Sequence, residues 1–144
     1  MTRSFTAQIK DFADLTKRNM RYVASEAIQD VMEAAQTPQL GITKGASGFV
    51  EGKIPVAEAD LINSLSADGG STGADAYVVA IAGYEIGDNM RFVWTAEYAA
   101  RINSGFTGTD SLGRQYDQPG RFFVDRNAER FQEFVEARVR EVQR

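Results

Sequence analysis

Apolar side chains recur at three- and four-residue steps along the first quarter of the chain. Phe5, Ile9, Phe12, Met20, Val23, Ala27, Val31 and Ala34 share one face at helical spacing, with Thr16 filling the gap. The spacing predicts one helix over 5–36. Leu15, Tyr22, Ile28 and Ala35 widen the stripe, a breadth that suits packing on a sheet. Ser4 or Thr6 supplies a capping oxygen at the start. Thr37-Pro38 ends the helix, because the residue before a proline is pushed out of the helical region.

The pattern then changes period. Gly41, Gly45, Gly48 and Gly52 punctuate 40–55, where hydrophobic residues are scattered, and the expectation is a flexible arm. Within 56–66 a helical turn is expected over 57–60, followed by Leu61, Asn63, Leu65 and Ala67 on one face of a strand. Asp68 to Gly73 reads as a turn. Ala76 to Gly83 alternates, with Tyr77, Val79 and Ile81 on one side and Val78, Ala80 and Ala82 on the other. This predicts a strand. Gly87-Asp88-Asn89 predicts a hairpin turn, and Met90, Phe92 and Trp94 alternate along a further strand. A helical turn over 98–103 leads into a polar, glycine-rich loop at 104–120. The last periodic stretch, from Asp125 as N-cap to Val142, carries Val124, Ala128, Phe131, Val135, Val139 and Val142 as its apolar stripe, with Phe134 beside it.

Short connections between the strands predict an antiparallel meander. The fold class is therefore α+β, in one domain over 1–144. A small antiparallel sheet of three to four strands is packed by a long N-terminal helix, a short helix and a C-terminal helix. Phe12, Val23, Val79, Ile81, Phe92, Trp94, Phe131 and Val135 are the expected core.

Composition mainly excludes. The 144 residues include no cysteine and no histidine. Disulfides and thiolate metal sites are out, and so are the commonest general base and metal ligand. A reducing compartment such as the bacterial cytoplasm fits. The net charge of −4 gives no global basic footprint for nucleic acid, though DNA can still pass through a like-charged channel. There is no basic-plus-apolar leader pattern, and no apolar run approaches ~18 residues, so no membrane insertion is expected.

Candidate chemistry is thin. Glu58/Asp60 and Asp110/Asp117 are the carboxylate pairs outside the helices, and neither has a partner base or cation at motif spacing. Asp110-Ser111-Leu112-Gly113-Arg114 lacks the alternating-aspartate order of a calcium loop. Ser64, Ser71 and Ser104 have no histidine to activate them, and Lys10, Lys17, Lys44 and Lys53 all lie in polar contexts. The expectation is no catalytic residue, no cofactor and no metal. Lys17, Arg18 and Arg21 form a local basic cluster on a helix face. Phe92, Trp94, Tyr98, Phe106, Tyr116, Phe122 and Phe123 concentrate the aromatics, with only Arg101, Arg114 and Arg121 among them. That mixture suits a core and a protein interface better than base stacking.

Three short stretches carry a resemblance. They are Leu61-Ile62-Asn63-Ser64-Leu65, Tyr98-Ala99-Ala100-Arg101-Ile102-Asn103-Ser104-Gly105, and Pro119-Gly120-Arg121-Phe122-Phe123 running on to Ala128. With the opening helix, they resemble the small tail-completion, tail-terminator and neck proteins of long-tailed bacteriophages. The family's corresponding patterns are Leu-x-x-Ser-hydrophobic, Tyr-Ala-x-x-hydrophobic-Glu-x-Gly and Arg-Pro-Phe-hydrophobic-x-Pro-Ala. This chain departs with Asp60 in place of a glycine, Asn103 in place of a glutamate, and no proline just ahead of Ala128.

The resemblance implies an α+β subunit of a ring, typically a hexamer, in the virion, assembled in the host cytoplasm. The ring would terminate the tail tube, dock on the head connector protein and leave a lumen for DNA. Its partners would be copies of itself, the tail tube protein, the connector and DNA passing through without sequence-specific binding, with no membrane. Candidate subunit-interface residues are Phe49, Tyr98, Arg101, Phe106, Tyr116, Arg121 and Phe122. Another neck or head–tail joining role fits the same residues. A nucleic-acid-binding module built on Lys17, Arg18 and Arg21, and an enzyme using Asp110 or Asp117, are the readings from other classes.

Overall fold

A computed structural model describes residues 4–39, 51–55, 60–68, 70–109 and 111–143. The long stripe folds as one helix, α1 (Phe5–Ala35). Ser4 caps it, its Oγ accepting from the Ala7 amide at 3.1 Å. At the other end Gln36 and Thr37 still donate to Met32 and Ala34 at 2.9 and 3.2 Å, and Pro38 stops the ladder. The next elements are β1 (Pro38–Gln39), β2 (Ile54–Pro55), α2 (Asp60–Asn63), β3 (Leu65–Ala67), α3 (Ala76–Ala82) and β4 (Phe92–Trp94). Then come α4 (Ala99–Ser104), β5 (Phe106–Thr109), β6 (Gln115–Gln118), α5 (Asp125–Ala128) and α6 (Phe131–Val142).

The class is α+β, but the strands form three separate two-stranded ladders among the described residues. β1 and β2 are parallel, with Pro38 opposite Ile54. β3 and β4 are antiparallel, with Leu65 opposite Trp94 and Ala67 opposite Phe92. β5 and β6 form an antiparallel hairpin, with Phe106 opposite Gln118 and Thr109 opposite Gln115. The loop expected at 104–120 is thus this hairpin, turned by Gly113 at φ 79°. Gly87, also at positive φ, turns the chain from α3 toward β4 rather than joining two strands.

The strand expected at 76–83 is helix α3. Seven alternating residues rich in alanine satisfy either period, and alanine has the highest helix propensity. The deciding contacts are long-range. Tyr77 and Ile81, one helical turn apart, are buried, while Val78 and Val79 on the other side are exposed. A third strand would also find the free edge of β3 taken. Ala67 N–H donates to Ser71 and Gly73 N–H donates to Leu65, both at 2.9 Å, laying residues 71–73 along that edge.

Among the described residues two apolar clusters form the core. Met32, Leu65, Ala67, Ala76, Tyr77 and Ile81 join α1, β3 and α3, with Ile28, Phe92 and Trp94 against them. Only the C-terminal half of α1 meets the β3–β4 ladder in this way. Ile54, Leu61 and Phe123 make the second cluster, flanked by Ile62, Trp94, Ala99, Ile102 and Val124. Trp94 touches both, and its ring meets Phe123 edge-on at 5.2 Å. Of the expected core, Ile81 is buried, while Val23, Phe92, Trp94 and Val135 are half-buried. Phe12, Val79 and Phe131 are exposed.

Gln36 joins the parts. Buried just past the end of α1, its Nε2 donates to the Ile62 and Ala74 carbonyls, both at 2.9 Å. Its Oε1 accepts from the Trp94 indole N–H at 2.8 Å.

The C-terminal helix is interrupted at Glu129 and Arg130, separating α5 from α6. Asp125 is not its cap. It lies in the first turn of α5, and its carboxylate accepts from the Asn103 side chain at 3.2 Å. Helix α6 runs antiparallel to α1. Arg138 forms a two-pronged pair with Asp30 at 2.8 and 2.9 Å, and Glu141 further along accepts from the Tyr22 hydroxyl at 2.6 Å.

Candidate assembly interface

The three stretches that carry the resemblance meet in space. Leu61 and Ile62, Ala99 and Ile102, and Phe123 and Val124 all belong to the second apolar cluster. The meeting depends on a tight approach at Gly120. A Cβ there would lie 2.6 Å from the Asn103 carbonyl oxygen, so only glycine fits without moving backbone. The close approach lets Arg121 and Phe122 donate their amides to the Ile102 and Asn103 carbonyls at 2.8 and 2.9 Å. These are end carbonyls of α4, which otherwise lack helical partners. Phe122 takes φ 51°, a conformation that disfavours a bulky residue, and its carbonyl accepts from Arg126 at 3.0 Å.

Asn127 completes the clamp. Buried at 4% exposure, its Nδ2 donates to the Phe123 and Gly52 carbonyls at 2.7 and 2.9 Å. Gly52 in turn donates its amide to Arg121 at 2.7 Å. This ties the segment before β2 to the start of α5.

The hairpin of β5 and β6 leaves this clamp directly. At its base the Arg101 guanidinium sits over the Phe106 ring, 4.2 Å from the centroid. Burial pushes the Arg121 guanidinium below its ordinary pKa. The structure thus gathers Arg101, Phe106, Arg121 and Phe122 around the hairpin base, with Tyr98 partly exposed just ahead of α4. Phe49, Glu58 and Asp110 lie outside the described residues, as does the 40–50 part of the expected arm. Tyr116 is in β6. Asp117 meets Thr107 across the hairpin at 3.4 Å.

The hairpin is a ladder with two open edges, since neither strand belongs to another sheet among the described residues. Leu112 in its turn is 76% exposed.

A second exposed feature escaped the sequence reading. Phe5, Ile9, Phe12, Leu15 and Met20, assigned there to a buried stripe, are solvent-exposed. Helix lengths held the signal. A stripe running through 31 residues cannot be covered by a closing helix of 12.

Conventional site chemistry is lacking among the described residues. No group of three or more acidic residues is placed to hold a metal. An open cleft of about 620 Å³ lies between Thr37, Gly52 and Arg130. Along its wall Arg126 pairs with Glu51 at 3.1 Å and Arg130 with Glu133 at 3.3 Å. In the basic cluster, Arg21 turns to α3 and its following turn, donating to Tyr84 and Ala82 at 2.8 and 3.3 Å, while Lys17 and Arg18 stay exposed. No helix among the described residues is long and apolar enough to cross a membrane. Comparison with protein-family models, curated proteins and solved structures found no match.

Proposed function

We propose that this chain is a structural subunit of the head–tail junction of a long-tailed bacteriophage. Copies close into a ring, a hexamer, that terminates the tail tube and docks it to the head connector, with DNA passing through the lumen. The observation that carries the reading is the β5–β6 hairpin. An isolated two-stranded hairpin is marginal in water, and its open edges are ready templates for another chain. A ring needs two different surfaces on each subunit, and an edge of this hairpin on one copy against the body of the next provides such a contact. The resemblance supports the same reading, because its three stretches meet in one apolar cluster and two of them join at the hairpin base.

The test replaces residues 106–118 with a short Gly-Ser link. The described residues of the replaced segment contribute nothing to either apolar cluster, so the body is expected to keep its helical circular dichroism. The shortened protein is expected not to complete particles when supplied to a phage lacking the wild-type subunit. Normal particle yield with the shortened protein contradicts the proposal.

A further inference from the structure

Helix α6 covers α1 only in part. Its last turn ends at Val142, beside Leu15, Asn19 and Tyr22, where the two helices leave a notch of about 440 Å³. Beyond that point α1 continues for about ten residues, or roughly 15 Å at 1.5 Å per residue. On this overhang Phe5, Ile9 and Phe12 are 77%, 53% and 71% exposed, followed by Leu15 and Met20 at 49% and 53%. Helical spacing puts Lys10, Asp14 and Lys17 on the opposite side, while Asp11 and Arg18 flank the Leu15 edge, Arg18 lining the notch. The overhang is therefore an uncharged seam, apolar but for Gln8 and Thr16. It prolongs the side on which Glu26 and Asp30 already meet α6 through Arg138.

The geometry points to a second copy of this chain as the cover. Two α1 overhangs would lie antiparallel about a two-fold axis at Phe12. Three features favour this occupant. First, the inner part of the seam is symmetric about Phe12. Three residues either side are Ile9 and Leu15, and seven either side are Phe5 and Asn19. An antiparallel copy therefore sets Phe12 on Phe12 and Ile9 on Leu15. Second, this register brings the partner subunit's Phe5 to Asn19, at the notch where α6 ends, so the partner helix continues the antiparallel cover that α6 begins. Third, the area suffices. The five apolar side chains expose roughly 500–600 Å² per copy, at the upper end for a monomer. Two copies then bury on the order of 1,000–1,200 Å², the lower end of specific interfaces. Asp11 and Asp14 among the basic residues of the polar face make an anionic lipid surface the poorer cover. The pairing is isologous and uses one surface twice, so it is separate from the contacts that close a ring.

The test uses the full chain, which has no native cysteine. Sedimentation equilibrium is expected to show a reversible dimer, and Phe12→Asp to raise its dissociation constant on the order of 100-fold or more, as two buried phenyl rings are lost. Phe12 is already exposed, so the monomer's circular dichroism should not change. Under mild oxidation Phe12→Cys is expected to form a disulfide-linked dimer by itself. Phe5→Cys should link only when mixed with Asn19→Cys, and Asp14→Cys on the polar face should not link. Equal self-linking of Phe5→Cys and Phe12→Cys would mean a parallel pair and overturn the inference. So would a chain that stays monomeric at about 100 µM. So would a monomer that instead binds phosphatidylcholine–phosphatidylglycerol vesicles through Phe12. Particle completion is read separately, so a failed ring does not pass for a failed pair.

Discussion

Replacing Gln36 with leucine removes the polar junction of the domain while nearly keeping its volume. Three groups lose their partner, the carbonyls of Ile62 and Ala74 and the indole N–H of Trp94. Each hydrogen bond contributes about 1 kcal/mol net, and more where its orphaned partner stays shut off from water. Gln36 itself is 7% exposed, so water reaches the vacated positions only in part. The expected loss is about 3 kcal/mol, against a total stability of ~5–15 kcal/mol for a domain. In urea unfolding this appears as a lower midpoint with an unchanged slope. The melting temperature should fall by roughly 10 °C. Gln132→Leu is the control. It removes an exposed pair with Glu136 one turn away and should cost less than about 0.5 kcal/mol. A Gln36→Leu loss below about 1 kcal/mol would show that the three contacts do not hold α1, α2 and β4 together.

Three further outcomes follow from the same structure. Gly120→Ala drives a Cβ into the Asn103 carbonyl and should cost about 2 kcal/mol or more by chemical denaturation, with proteolysis opening first near the hairpin base. Arg138→Met leaves Asp30 and Glu141 facing each other without their cation. It should cost about 2 kcal/mol and speed hydrogen exchange in α6 ahead of the β3–β4 ladder. Burial, then the nearby charges of Glu33 and Asp75, raise the Tyr77 phenol above its ordinary value of 10.0. The neutral phenol is favoured in the folded state, so its stability is complete below pH 10.0 and lost as pH rises through the raised value. Spectrophotometric titration should show one late tyrosine fewer in Tyr77→Phe, with Tyr22, raised by its hydrogen bond to Glu141, remaining.

Local signals carried much of the fold. The extent of α1, its serine cap and its proline stop were readable because each depends on near neighbours. The pairing of Leu65–Ala67 with Phe92–Trp94 was not. Nor was the helix at 76–82, where alternation fits both periods and Tyr77 and Ile81 decide through contacts with α1 and β3. The 104–120 stretch looked like a loop because its turn residues outweighed four-residue strands, Phe-Thr-Gly-Thr and Gln-Tyr-Asp-Gln, with little apolar content. The aromatic–arginine cluster at the candidate interface was legible, and Arg101, Phe106, Arg121 and Phe122 do gather at one place. The exposed seam at Phe5, Ile9 and Phe12 was hidden by its own regularity. Periodicity tells which residues share a face, and only the partner helix tells whether that face is covered.

The proposed role is tested most directly by locating the protein in a particle. Purified phage particles from its source, labelled with an antibody to this chain and viewed by electron microscopy, should carry label at the head–tail junction. A reconstruction there should show a ring with the hairpins at its subunit contacts. Particles free of the protein, by label and by mass spectrometry alike, would contradict the proposal.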